Sequence, residues 1–77
     1  MNKTRRESLQ EISVKLEDIK SDIEGLRDEE QEYADNMPES LQSSEKHDNA
    51  ESAVGSMDTA IDNLDSAISD IGEAIDY

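Results

Sequence analysis

The sequence predicts an all-α fold: an antiparallel two-helix coiled-coil hairpin, pairing into a four-helix bundle. Three observations predict it. Two heptad stripes of similar length run along the 77-residue chain, a proline-containing polar segment separates them, and cysteine is absent. A chain this short gains little net stability from one core, so without a disulfide or metal the remaining source is burial between helices.

The first stripe comprises Leu9, Ile12, Leu16, Ile19, Ile23 and Leu26, then Tyr33 and Met37, with steps that alternate three and four residues. That spacing lines one face of a helix. Leu9, Leu16 and Ile23 take position a, and Ile12, Ile19, Leu26 and Tyr33 take d. Glu30 is the one polar a residue before the bend, read as wet where the bundle opens or, in the alternative, as a buried element that specifies register.

Next comes Asp35-Asn36-Met37-Pro38-Glu39-Ser40-Leu41-Gln42-Ser43-Ser44. Pro38 disfavours helix at the preceding residue and starts a turn, while Asn and Ser supply caps. Asn36 with Glu39 and Asp48 with Glu51 have capping-box spacing, although the strict pattern begins with Ser or Thr.

The C-terminal half is a seven-residue repeat: Ser52 to Asp58, Thr59 to Asp65, Ser66 to Gly72, then Glu73 to Tyr77. Val54, Ile61, Ile68 and Ile75 occupy a, and Ala50, Met57, Leu64 and Ile71 occupy d. Ala53, Ala60, Ala67 and Ala74 follow at g and widen the stripe. Gly55 and Gly72 read as tolerated irregularities, with Gly55 near the level of Glu30 and able to admit it. One domain over 1–77 results, with helices over 4–36 and 46–75 and a bend over 37–45.

Flanking charges select the antiparallel orientation. In that arrangement e positions face e positions, and one register pairs Arg27 with Asp58 and Lys20 with Asp65. It sets Leu9 beside Ile75, and Tyr33 beside Ala50 and Val54. Exposed pairs of this kind contribute about 0.2–1 kcal/mol each, so they choose the register while the seam supplies stability. A lone hairpin leaves part of its stripe uncovered. A homodimer would cover it, with Ala53, Ala60, Ala67, Ile61 and Ile68 as the expected oligomer seam.

Net charge is −14, from 21 acids and 7 bases. Like-charge repulsion argues against direct binding to nucleic acid or anionic lipid, and favours a basic partner. No run approaches the roughly 18–20 apolar residues of a membrane span, and no apolar run follows the charged start, so a cytoplasmic protein is expected. Catalysis finds no support: His47 is the sole imidazole and is read as a solvated bend residue. No cofactor or metal is expected, because Asp58, Asp62 and Asp65 fall at helical spacing without the ordered loop of a calcium site.

The acids are unevenly placed. Residues 28–51 hold nine carboxylates against Lys46 alone. Negative potential should therefore peak at the bend end, and the candidate partner-binding residues are Asp28, Glu29, Glu32, Asp35, Glu39, Glu45 and Asp48, with Asp62, Asp70 and Glu73 on the second helix. Helices of about 32 residues span about 48 Å at 1.5 Å per residue. A full-overlap dimer would then carry one net charge per about 1.7 Å, near the axial density of duplex DNA.

The segment Asp28-Glu29-Glu30-Gln31-Glu32-Tyr33, the bend from Asp35 to Glu45 and the Ala-Ile-Asp heptads together resemble short acidic helical-hairpin proteins encoded by tailed bacteriophages and prophages. The likeness covers roughly residues 16–76, and Asn36-Met37-Pro38-Glu39-Ser40-Leu41-Gln42 is its most specific part. The resemblance implies a helical hairpin of phage origin and carries no catalytic residue. By analogy with small acidic phage proteins that fill DNA-binding clefts, it implies inhibition of a host nucleic-acid-binding or defence protein, with DNA mimicry as a means. The alternative is a structural coiled-coil oligomerisation module with no inhibitory role.

Overall fold

The computed structural model describes residues 1–77 as two long helices packed against each other, α1 (Lys3–Asp35) and α2 (Glu45–Asp76), joined by a bend containing one 3₁₀ turn, Glu39–Leu41. These limits lie within one residue of those expected. The molecule is a rod whose principal extents are 60 × 14 × 12 Å.

Each helix begins on a polar cap. Asn2 Oδ1 accepts from the Arg5 backbone N–H at 2.8 Å. Ser44 caps α2: its Oγ accepts from the His47 N–H at 3.3 Å and donates to the Leu41 carbonyl at 2.6 Å. Neither proposed capping box forms, because Asn36 instead closes α1 as its C-cap and Asp48 lies inside the first turn of α2. Ser44 outcompetes Asp48 by satisfying an orphan N–H earlier in the chain.

The bend stabilises itself. Pro38 is extended (φ −55°, ψ 148°), which turns the chain out of α1. The Leu41 N–H then donates to the Pro38 carbonyl at 2.8 Å, and Gln42 Nε2 donates to the Met37 carbonyl at 2.7 Å.

The expected register is present. Arg27 Nε donates to Asp58 Oδ1 at 2.8 Å, and Lys20 Nζ lies 2.6 Å from Asp65 Oδ1. At the open end the Met1 amino group donates to the Tyr77 carbonyl at 3.2 Å.

The face that α1 turns to α2 differs from the expected a/d seam. The shielded α1 positions are the a residues Leu9, Leu16, Ile23 and Glu30 and the e residues Ser13, Lys20, Arg27 and Ala34, joined by Gln31 beside them. The d residues are exposed, Ile12 at 44%, Ile19 at 48%, Leu26 at 58% and Tyr33 at 52%. Tyr33 is therefore not packed at the Ala50–Val54 level; Ala34, fully buried, is the α1 residue sequestered at that end. Two ion pairs draw the e flanks together, and the Lys20 and Arg27 stems cover apolar surface that the d side chains would otherwise have covered.

Only Ala34, Ala50 and Val54 are buried. On α2 the a and d residues and the g alanines Ala53, Ala60, Ala67 and Ala74 are half-buried, Ile61 and Ile68 among them.

The helical glycines do not serve close packing. A Cβ built at Gly25, Gly55 or Gly72 meets nothing within 4 Å, and none has positive φ. Gly55 therefore points to open space and does not admit Glu30. Gly55→Ala and Gly72→Ala should each stabilise the hairpin by about 0.5–1 kcal/mol, the usual helix-interior difference. Urea denaturation followed by circular dichroism checks this, and an unchanged or lowered midpoint would refute it.

Candidate protein-interaction surface

The bend end is built from the last two turns of α1, the 3₁₀ turn and the first two turns of α2. Asp28, Glu29, Glu32, Asp35, Glu39, Glu45 and Asp48 are all exposed there, as are Asp62, Asp70 and Glu73 farther along α2. The structure brings the first seven to one end of the rod. It leaves the last three along the shaft and toward the open end, where they are not part of the same cluster.

Pairing separates the two regions. Asp58 and Asp65, on the shaft, are neutralised across the helices by Arg27 and Lys20. Near the bend, Asp28 lies 3.3 Å from Arg27, and Asp35 accepts from Gln31 Nε2 at 2.9 Å. Glu29, Glu30, Glu32, Glu39 and Glu45 form no salt bridge, and neither does Lys46. These five glutamates can thus meet external cations without first breaking an internal salt bridge.

His47 departs from its expected setting. Because α2 begins at Glu45, this residue occupies heptad position a in the first turn, and its side chain is 17% exposed. Its Nδ1 is buried without a hydrogen-bond partner. The ring nitrogens face carboxylates, Asp48 at 3.9 Å and Glu51 at 3.7 Å. Its position in the chain suggested a solvated bend residue, whereas heptad counting back from Val54 would have put it on the seam.

The bend also carries an apolar notch of about 590 Å³, lined by Tyr33, Met37, Pro38 and Leu41 with Asn36, Ser44 and Lys46 at its edges. Leu41 is 48% exposed and Tyr33 52%. Glu32, Glu39 and Glu45 are exposed and each adjoins a lining residue in sequence, so an oily depression and solvated carboxylates share one end of the rod. The sequence singled out this bend as a recognition surface but showed nothing of the notch, which depends on how Pro38 turns the chain.

No group of three or more His, Cys, Asp or Glu side chains is arranged to hold a metal ion. No helix is long and apolar enough to cross a membrane. No protein-family model, no curated protein and no solved structure matches the chain.

The shaft pairs have a defined pH dependence. The hydrogen bond to Asp65 raises the Lys20 ammonium above its ordinary 10.5, with burial opposing and the charges of Asp65, Glu24 and Glu17 adding to it. A base whose folded value is raised contributes stability that is complete below the unfolded value and is lost as pH rises through the folded one. The Lys20–Asp65 contribution should therefore persist through neutrality and disappear only above pH 10.5. Lys20→Arg, whose guanidinium stays protonated, should lose less stability than the wild type over that alkaline range. Urea midpoints of both proteins on either side of that pH test it, and parallel curves would exclude the pair as the cause.

Proposed function

We propose that this chain is an acidic interaction protein of the bacteriophage type, which binds and inhibits a basic, nucleic-acid-binding protein of its host. The observation that carries this reading is the pole at the bend. Five glutamates without salt-bridge partners and their acidic neighbours lie toward the same end of the rod as an apolar notch, while the shaft acids Asp58 and Asp65 are neutralised by bases of the same chain.

Such a surface suits a basic groove that offers one apolar side chain among its cations. Charge supplies fast, salt-sensitive encounter. The notch supplies an anchor of the kind that dominates binding energy when it is desolvated.

Mimicry of DNA along the whole rod is less well supported than mimicry at its end. With −14 spread over 60 Å, a single hairpin carries one net charge per about 4.3 Å, against about 1.7 Å in duplex DNA. Two hairpins side by side would reach one per about 2.1 Å, closer but still sparser. Eight of the fourteen net charges lie within residues 28–51, so the bend end carries the strongest likeness to a phosphate array.

A structural role as an oligomerisation module is favoured by a separate observation, the exposed row of Ile12, Ile19, Leu26 and Tyr33. The two readings respond differently to substitution. Immobilised wild-type protein should retain a basic, DNA-binding protein from bacterial lysate at low salt and release it at about 0.5 M salt, where the Debye length shrinks to a few ångströms. Duplex DNA should compete for the same protein. Glu32→Gln with Asp35→Asn and Glu39→Gln should abolish retention, and Leu41→Ser should weaken it, with helix content unchanged. Retention that survives the neutralising substitutions but fails with Ile19→Asp, on the exposed row, would decide for the structural module.

A further inference from the structure

We infer that the face of the hairpin opposite its ion pairs is a self-association surface, on which a second copy packs with both bends at the same end of the assembly. This face is distinct from the acidic pole.

With e facing e on one side, the other side of the rod carries the d and g flanks, exposed on α1 but already half-buried on α2, where the c row lies outermost. On α1 this side holds the exposed d row, Ile12, Ile19, Leu26 and Tyr33. On α2 it is almost free of charge. Of the nine acids of that helix, only Asp70 occupies the outer c row, which otherwise reads Asn49, Ser56 and Asn63. In a chain of net charge −14, a near-neutral strip running the length of a helix calls for an explanation.

The area left uncovered fits one occupant of similar size. The rod exposes 5556 Å². A compact protein of 8.6 kDa would expose about 4,700 Å². The excess, roughly 850 Å², is close to the approximately 800 Å² that each partner buries in a standard stable interface.

Charge complementarity then selects both the occupant and its direction. The intramolecular register, Arg27 level with Asp58 and Lys20 level with Asp65, puts Lys15 level with Asp70, Asp22 with Asn63 and Glu29 with Ser56. If the two-fold axis runs along the rod, α1 of one copy lies antiparallel to α2 of its partner and these levels carry over unchanged. The one base of the α1 flank, Lys15, then meets the one acid of the facing row, the partner's Asp70. The flank acids Asp22 and Glu29 meet neutral side chains. With the axis perpendicular to the rod, α1 would instead face α1, and the overlap that matches the whole d row, Ile12 to Tyr33, brings Asp22 close to its own copy. Among the arrangements that cover that row completely, the first alone avoids this like-charge contact, and it sets two acidic bends side by side.

Sedimentation equilibrium at about 100 µM, which populates any dimer tighter than roughly 10 µM, should give twice the 8.6 kDa chain mass. Leu26→Asp should halve that mass while leaving the α-helical circular dichroism in place, since the side chain is 58% exposed in the single hairpin. Lys15→Asp should loosen the dimer, and adding Asp70→Lys should restore it.

For orientation, Ser40→Cys gives a single spin-label site in a chain without native cysteine. The labels should lie within about 30 Å of each other, since neighbouring helices in a bundle are 8–10 Å apart. A monomeric wild type, a failure of the double swap to rescue, or a label separation approaching the 60 Å length of the rod would overturn the inference. Retention of a basic protein by the monomeric Leu26→Asp variant would leave the acidic-pole reading standing when this one fails.

Discussion

Everything in this hairpin depends on a seam little more than one side chain wide. The a residues of α1 and α2 must stay pressed together, yet only Ala34, Ala50 and Val54 are buried. Burial at about 25 cal/mol per Å² gives such a seam modest stability. The ion pairs Arg27–Asp58 and Lys20–Asp65 add little energy at their exposure, and they mark the register that the seam itself holds. A slip by one heptad would leave apolar side chains unmatched at each end, even in the direction that sets Lys20 level with Asp58 and Arg27 level with Glu51.

The same seam decides where charge can go. Bases on α1 are used against acids of the middle of α2, so the unmatched carboxylates remain where α1 runs out of bases, past Arg27. The bend then holds them close together. Its hydrogen bonds from Leu41 to Pro38 and from Gln42 to Met37 keep that segment ordered without help from the shaft. Acidic side chains and apolar notch are thereby presented on a fixed backbone, which lowers the ordering cost of any contact made there.

Much of this was legible in the sequence. Heptad spacing located both helices to within a residue, Pro38 and its polar neighbours located the bend, and the e-position charges predicted both interhelical ion pairs. What periodicity does not specify is which flank of a wide apolar stripe faces its neighbour. On α1, positions a, d and e all offer packing surface, and the choice of e over d follows from the ion pairs drawing that side inward. The exposed d row, read from the sequence as core, is the result. His47 was misplaced for a related reason: the start of α2 turns on Ser44 rather than Asp48, and a shift of less than one turn moves a side chain from solvent to the seam. The notch was invisible because it arises from the path of the chain after Pro38, not from any pattern of residue types.

One consequence lies in the lopsided distribution of formal charge between the two tips of the rod. Antiparallel helices cancel each other's backbone dipoles, so any large molecular dipole must come from side chains. Residues 28–51 carry eight net negative charges, whereas residues 1–27 balance six bases against six acids. In the field of a positively charged body the molecule would feel a torque before it touched anything. It would swing round and arrive tip first, like a compass needle, with its long sides left clear for other contacts.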